Sequence, residues 1–236
     1  MPEGALNLAG FNEDDAANIH ENRRRFLKLF GSGDRHEWRL ATCWQVHGAD
    51  VRRVIATDAT RTLDTNEERC DALTTDAAHI LLGVQTADCV PVILGDARSG
   101  ACSAVHAGWR GTAASIVSAA LELMREAYGT RAEDVRACIG PAANVCCYEV
   151  GREVIETFRA RFDYTDELLA PTREGHARID LQRANLRQLI GAGVSTERIH
   201  IAPFCTICRH DLFFSYRREK KVHGRTGRLL AVIGRQ

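Results

Sequence analysis

The chain of 236 residues is long enough for one domain with a large buried core. Its 31 Lys and Arg residues balance 31 Asp and Glu residues, so no net charge attracts nucleic acid or an anionic membrane. The N-terminus lacks a basic and apolar leader, no apolar run approaches the ~20 residues of a membrane span, and nine cysteines are an odd number for a disulfide framework. We therefore expect a cytoplasmic protein with reduced thiols, monomeric or weakly dimeric, that binds a small molecule.

Helical patterns occur at four places along the chain. Apolar residues spaced three and four apart predict a helix over 112–128, which Gly129 ends. Less regular patterns predict helices over 14–30, 153–162 and 181–190.

Strand-like segments lie between these helices. Short apolar runs bounded by turn residues predict strands over 40–46, 51–55, 80–84, 90–94, 101–105, 135–139, 199–202 and 229–233. The turn over 95–100 joins two of these runs as a hairpin, and the polar stretch 58–69 is predicted as a surface loop or short helix. Consecutive hairpins mixed with helices favour an α+β fold in one domain over 1–236.

Three residues at the ends of apolar runs carry side chains that bind transition metals. His47, Cys89 and His106 each stand beside a glycine or a small polar turn. Imidazole nitrogen and thiolate sulfur are preferred ligands of zinc, and three protein ligands leave a fourth position open. Their long separations in sequence exclude a zinc finger and require assembly by tertiary folding. The pattern predicts a catalytic site with one zinc ion per chain, although each residue alone is more typical of a core position.

The segments around these residues resemble those of one protein family. Segments 43–51, 86–92 and 105–112 contain the motifs Gln45-Val46-His47, Ala87-Asp88-Cys89 and His106-Ala107-Gly108-Trp109-Arg110-Gly111. Further similar segments are 138–141, 147–151, 213–218 and 226–228. Together they resemble the laccase-domain or multicopper polyphenol oxidase family, whose members are now mostly assigned as purine nucleoside phosphorylases with adenosine deaminase side activity.

The resemblance implies a metal held by His47, Cys89 and His106, with phosphate and purine nucleosides as ligands. It implies mixed β-sheets packed with outer helices, as in the catalytic domain of cytotoxic necrotizing factor. Asn7 and Arg23 resemble the family's Asn-Leu and Asn-Arg-Arg elements and are candidates for substrate binding. Family members usually have a longer strand and a Gly-Gly-Val-Ser loop before the Asn-Leu element, so we expect the contacts of that loop to differ here.

Further residues are candidates for catalysis. Arg110 follows His106 at a turn into a helix, where a guanidinium and free backbone N–H groups bind phosphate. Asp88 precedes the candidate ligand Cys89 and is a candidate acid or base, unless strand alternation points it away. Glu149 is a second candidate proton carrier, although a glutamate at a helix start is more typical of charge stabilisation.

Two cysteine pairs lie later in the chain. Cys205 and Cys208 have the spacing of a redox pair or of half a zinc ribbon, but no second pair with that spacing exists. Cys146 and Cys147 are adjacent, and adjacent residues rarely chelate one ion together. We expect both pairs to be structural.

Several functions remain open. A zinc enzyme would cleave adenosine and inosine with phosphate and slowly deaminate adenosine. A copper polyphenol oxidase needs several coppers, whereas only two of nine histidines stand in a ligand context and the donor softness favours zinc. A cysteine hydrolase would use Cys89 as nucleophile and His106 as base. A binding protein with a structural zinc is disfavoured because a fourth ligand is missing.

Overall fold

Three β-sheets and six helices form within the residues that the computed structural model describes, which are 6–8, 14–30, 38–55 and 69–236. The helices are α1 (Ala16–Leu27), α2 (Trp109–Ala113), α3 (Ile116–Tyr128), α4 (Arg152–Arg161), α5 (Leu181–Gly191) and α6 (Tyr216–His223). The strands are β1 (Arg39–Ala41), β2 (Val51–Arg53), β3 (Ala72–Thr75), β4 (Ile80–Thr86), β5 (Val90–Asp96), β6 (Cys102–Ala107), β7 (Val135–Ile139), β8 (Glu149–Gly151), β9 (Leu169–Pro171), β10 (His176–Ile179), β11 (Ile199–Ile201) and β12 (Leu229–Ile233).

The largest sheet has six strands in the order β11-β7-β5-β6-β3-β2. Its central strands β5 and β6 are antiparallel, and the turn between them closes at Gly100, whose φ of 75° suits glycine. The smaller sheets have the orders β1-β4-β12 and β8-β10-β9. Parallel and antiparallel pairs occur in one sheet, because β2 and β11 run parallel to their neighbours while the other pairs are antiparallel.

Both faces of the six-stranded sheet are buried, and the residues of β6 alternate between them. Val105 and Ala107 pack in a core that includes α3, α4 and α5, whereas Cys102 and Ala104 pack in a second core with β1 and β4. Successive strand residues point to opposite faces. His106 therefore projects on the same side of β6 as Ala104, towards the second core.

The predicted strands are confirmed with shifts at their ends. Strands 135–139 and 229–233 have the predicted bounds, and 95–100 forms the predicted hairpin turn between β5 and β6. The predicted strand 40–46 is too long, since β1 ends at Ala41. Strands β3, β8, β9 and β10 were missed because segments of three or four residues are too short to show a periodic pattern.

The predicted helix over 112–128 is interrupted, which corrects that prediction. Helix α2 ends at Ala113, and Ser115 has a φ of 61° before α3 begins at Ile116. The apolar spacing continues across the break because both helices bury a face against the same core. Gly129 ends α3 in a left-handed conformation, as predicted.

The α+β class is confirmed, while the likeness to cytotoxic necrotizing factor stays a prediction. The surface loop or helix predicted over 58–69 lies outside the described residues except for Arg69. None of the helices in the described ranges is long and apolar enough to cross a membrane.

Candidate metal centre

Strand pairing brings Cys89 and His106 together. Cys89 directly precedes β5, in which Val90 pairs with Ala107 and Pro91 with His106 of the antiparallel β6. The residue before β5 therefore lies beside the residues that end β6. His47 comes from the loop between β1 and β2, where its φ of 60° turns the chain sharply.

The ligand atoms of His47, Cys89 and His106 all lie within 4.8 Å of one another. The two imidazole rings meet edge to face at 83°, with centroids 4.8 Å apart. Gly108 leaves room for this close packing, since a Cβ there would be 3.0 Å from His47 Cδ2 and 3.3 Å from Cys89 Sγ. The three predicted metal ligands thus form one group, as the motif analysis required.

Asp71 organises this group, and the sequence analysis missed it. Its Oδ1 accepts hydrogen bonds from the backbone N–H of His47 at 2.9 Å and from His106 Nδ1 at 2.7 Å. Its Oδ2 accepts from the backbone N–H groups of Val46 and Gly48. Because Nδ1 of His106 is occupied, Nε2 remains as its ligand atom. A carboxylate behind a ligating histidine is typical of metal sites.

The charges within the group favour the forms that bind a metal. Burial raises the pKa of the Cys89 thiol, but the neighbouring His106 and His47 outweigh that effect and lower it to about 6. Burial lowers the pKa of His106, while the Cys89 thiolate and Asp71 raise it to about 9. A thiolate is the metal-binding form of cysteine, and a metal ion would displace the proton from His106.

The donor set fits a metal ion. Two imidazoles and one thiolate converge, a carboxylate orients one imidazole, and Gly108 opens space beside all three. Three protein ligands are typical of catalytic zinc sites, in which the fourth position takes water or substrate. Copper and zinc both accept this donor set.

Asp88 connects the candidate centre to the C-terminal part of the chain. Its Oδ1 accepts from Thr206 Oγ1 at 2.6 Å, and its Oδ2 accepts from Ser215 Oγ at 3.1 Å and the backbone N–H of Arg217 at 2.6 Å. Asp88 has a φ of 89° and lies between β4 and β5, so strand alternation does not decide its direction. Its role as acid or base stays a prediction.

Tyr148 and Arg217 lie together near the centre. The Arg217 guanidinium carbon lies 4.9 Å from the centroid of the Tyr148 ring, and Arg217 Nη1 donates to the backbone oxygen of Glu149 at 2.9 Å. Burial and the nearby Cys89 thiolate raise the pKa of Tyr148 to about 12. Both residues stand in family-like segments, which were the only sequence signal for them.

Arg110 is exposed at the start of α2. Its guanidinium carbon lies 4.2 Å from the centroid of the Trp109 ring, and Nη2 is 3.5 Å from Glu153 Oε1. It follows Gly108, which contacts all three ligand side chains. Phosphate binding by Arg110 stays a prediction.

Asn7 and Arg23 are buried, and Asn7 connects distant parts of the chain. Asn7 Nδ2 donates to Asp14 at 3.0 Å, and Asn7 Oδ1 accepts from the backbone N–H of Arg228 at 2.9 Å. Arg23 is on the buried side of α1. Their roles in substrate binding stay predictions.

Glu149 does not begin a helix, which corrects that interpretation. It lies in β8, and α4 begins at Arg152. Its carboxylate accepts hydrogen bonds from Thr172 at 2.9 Å and Arg173 at 3.0 Å, and both contacts lower its pKa.

A second group of thiols forms where the sequence indicated separate pairs. The sulfur atoms of Cys146, Cys147, Cys205 and Cys208 also lie within 4.8 Å of one another. The expectation that the two cysteine pairs have no common partner is therefore wrong.

Known proteins resemble the chain over its full length. Purine nucleoside phosphorylase YlmD of Geobacillus stearothermophilus is 36% identical over 247 residues, covering 100% of this chain and 85% of the relative. Adenosine deaminase RL5, from an unknown prokaryotic organism, is 36% identical and covers 94% of this chain and 84% of its own. The crystal structure of Bacillus licheniformis hypothetical protein YfiH superposes with a TM-score of 0.89 at 32% identity, covering 100% of this chain and 87% of that one. The family model described as multi-copper polyphenol oxidoreductase laccase matches residues 1–236, so the chain belongs to that family.

Proposed function

We propose that the chain, as one domain over 1–236, is a zinc-dependent purine nucleoside phosphorylase with a slower adenosine deaminase activity. The observation that carries this proposal is the convergence of His47, Cys89 and His106 with an open side. Relatives named purine nucleoside phosphorylase and adenosine deaminase support the substrate class.

The phosphorylase reaction exchanges one bond at the ribose for another. A phosphate oxygen forms a bond to C1′ while the bond from C1′ to the purine nitrogen breaks, and the base leaves after taking up a proton. The products are the free base and ribose 1-phosphate. In the deaminase reaction, water adds at C6 of adenosine and ammonia leaves, which gives inosine.

Zinc suits the donor set better than copper because zinc binds two imidazoles and a thiolate without redox chemistry. When bound at such a site, zinc supplies a Lewis acid at an open coordination position. His47, Cys89 and His106 would hold it, and Asp71 would keep His106 in its ligating orientation through the 2.7 Å hydrogen bond.

Other residues are assigned roles within this proposal. Arg110 would bind phosphate through charge-assisted hydrogen bonds. Asp88 would move a proton, for which its hydrogen bonds to Thr206 and Ser215 would have to loosen. Asn7 and Arg23 would support substrate binding from the N-terminal part of the chain.

Two other functions make different predictions. Copper-dependent polyphenol oxidation is supported by the description of the family. A cysteine hydrolase would use Cys89 as its nucleophile and His106 as base, which their proximity permits.

The test is to incubate the purified, metal-analysed protein with adenosine or inosine, with and without phosphate, and to separate the products by chromatography. We expect free base and ribose 1-phosphate in equal amounts only when phosphate is present, and slower formation of inosine from adenosine. The matched control is Cys89→Ala, which should lose both reactions together with the metal of this site.

Release of base at the same rate without phosphate would contradict the phosphorylase proposal. Oxidation of a phenol by the copper-loaded protein, without nucleoside cleavage, would support the polyphenol oxidase instead.

A further inference from the structure

Four cysteine thiols meet at a place separate from the His47, Cys89 and His106 group. Cys208 Sγ lies 3.2 Å from Cys147 Sγ and 3.5 Å from Cys146 Sγ, and Cys205 completes the group. Cys205 is buried, whereas Cys146 and Cys208 are exposed. The group therefore lies at the surface with one thiol beneath it.

A tight turn explains how the adjacent residues Cys146 and Cys147 both contribute. The backbone N–H groups of Cys147 and Tyr148 both donate to the backbone oxygen of Asn144 at 2.8 Å. Successive side chains point in opposite directions in a strand, but not in a turn of this kind. The turn thus removes the objection that adjacent cysteines do not share an ion.

The second pair is held in place by backbone contacts to the first loop. The N–H of Thr206 donates to the oxygen of Ala142 at 3.0 Å, and Ala142 and Cys205 form a parallel bridge. Burial raises the pKa of the Cys205 thiol, but hydrogen bonds from the backbone N–H groups of Cys208 and Asn144 lower it. Backbone N–H groups directed at a sulfur stabilise a thiolate, which is the form that binds metals.

The distances fit a tetrahedral ion better than a disulfide. A Zn–S bond of about 2.3 Å places the sulfurs of a tetrahedral site about 3.8 Å apart. The sulfurs here lie between 3.2 Å and 4.8 Å apart, which brackets that distance. A disulfide needs about 2.05 Å, and all four cysteines are free thiols.

We propose that Cys146, Cys147, Cys205 and Cys208 bind a second zinc ion in a closed four-thiolate site. Four protein ligands leave no position for water or substrate, so the site is structural. Binding releases the thiol protons to solvent.

The site holds the C-terminal segment against the loop that follows β7. Thr206, next to Cys205, donates to Asp88 at 2.6 Å, and Asp88 adjoins the ligand Cys89. Tyr148, next to Cys147, contacts Arg217. Loss of the ion would loosen the segments that carry Thr206, Tyr148 and Arg217, without removing any ligand of the first site.

The test is elemental analysis of the full chain, purified under reducing conditions without added metal. We expect about two equivalents of zinc in the unchanged protein and about one in Cys208→Ser. Cys89→Ala should also keep about one equivalent, because the four thiols remain. Cys138→Ser is the matched control, since Cys138 is a free cysteine outside both groups, and it should keep the full amount.

A second measurement identifies the ligands in case Cys208→Ser does not fold. Cys89→Ala loaded with Co²⁺ should show the intense sulfur-to-cobalt charge-transfer absorption of a tetrahedral thiolate site. Replacing the exposed Cys146 by serine in that background should weaken the absorption.

Three results would overturn the proposal. They are equal zinc content in Cys208→Ser and Cys138→Ser, no thiolate absorption in cobalt-loaded Cys89→Ala, and a disulfide among the four cysteines in the intact mass of the reduced preparation. All three readouts are independent of nucleoside cleavage, so failure of the proposed function would leave them unaffected.

Discussion

Asp71 and His106 are joined by a 2.7 Å hydrogen bond between Oδ1 and Nδ1, and both side chains are almost fully buried. The same carboxylate accepts backbone N–H groups from the loop that carries His47. One side chain thus sets the ring orientation of one candidate ligand and the backbone position of another. This relationship leads to the first prediction.

Replacing Asp71 by asparagine should weaken metal binding at this site by about 10- to 100-fold. The amide keeps the size of the side chain, but it loses the charge and turns an NH₂ group towards backbone donors. The measurement is competition with a chelator of known affinity. Asp96→Asn is the control, because Asp96 is a buried carboxylate that holds the turn after β5. Unchanged affinity in a folded Asp71→Asn protein would contradict the role given to Asp71.

Replacing Gly108 by alanine should lower the metal affinity while the protein stays folded. The φ of −68° and ψ of 171° at Gly108 suit alanine, so the effect comes from the added methyl group against His47 and Cys89. Gly191→Ala is the control, since its methyl group would meet nothing within 4 Å at the end of α5. Equal zinc affinity in the two variants would show that the ligands pack less tightly than the structure indicates.

Replacing Arg110 by alanine should leave the metal bound and raise the KM for phosphate by roughly ten- to a hundredfold, because a charge-assisted contact to an anion is lost. The measurement is the initial rate of nucleoside cleavage over a range of phosphate concentrations. Arg125→Ala is the control, as Arg125 is an exposed arginine on α3 paired with Glu122. If the KM for phosphate does not change, Arg217 is the next candidate for the anion contact.

The reactivity of Cys89 distinguishes a metal ligand from a nucleophile. A zinc-bound thiolate should resist alkylation at neutral pH and react only after chelation, because the metal occupies the lone pair that attacks the reagent. A catalytic thiol would react at once and abolish turnover without a chelator. The measurement is peptide mapping after timed treatment with iodoacetamide, with Cys138 as the internal reference. Rapid labelling of Cys89 in the metal-loaded protein would support the cysteine hydrolase.

Local sequence determined most of the regular structure. The apolar runs of β7 and β12 are long enough to be recognised, and the spacing in α3 together with Gly129 located that helix and its end. The break before Ile116 left no signal, because Ser115 adopts a positive φ that residue type alone does not predict.

The ligand residues were visible in sequence, while their support was decided by tertiary structure. His47, Cys89 and His106 stand in recognisable motifs. Asp71 acquires its role only because β3 pairs with β6, which places the residue before Ala72 opposite His106. Side chains far apart in sequence meet through strand pairing, and no local pattern records which strands pair.

The four cysteines show the same division. Their presence and spacing were evident, but the turn at Asn144 and the bridge between Ala142 and Cys205 bring them together across about 60 residues of chain. Sequence alone therefore determined which chemical groups this protein carries, and the fold decided which of them share a site. The physical reason is that a metal site depends on distances of a few ångströms, which only the packed backbone defines.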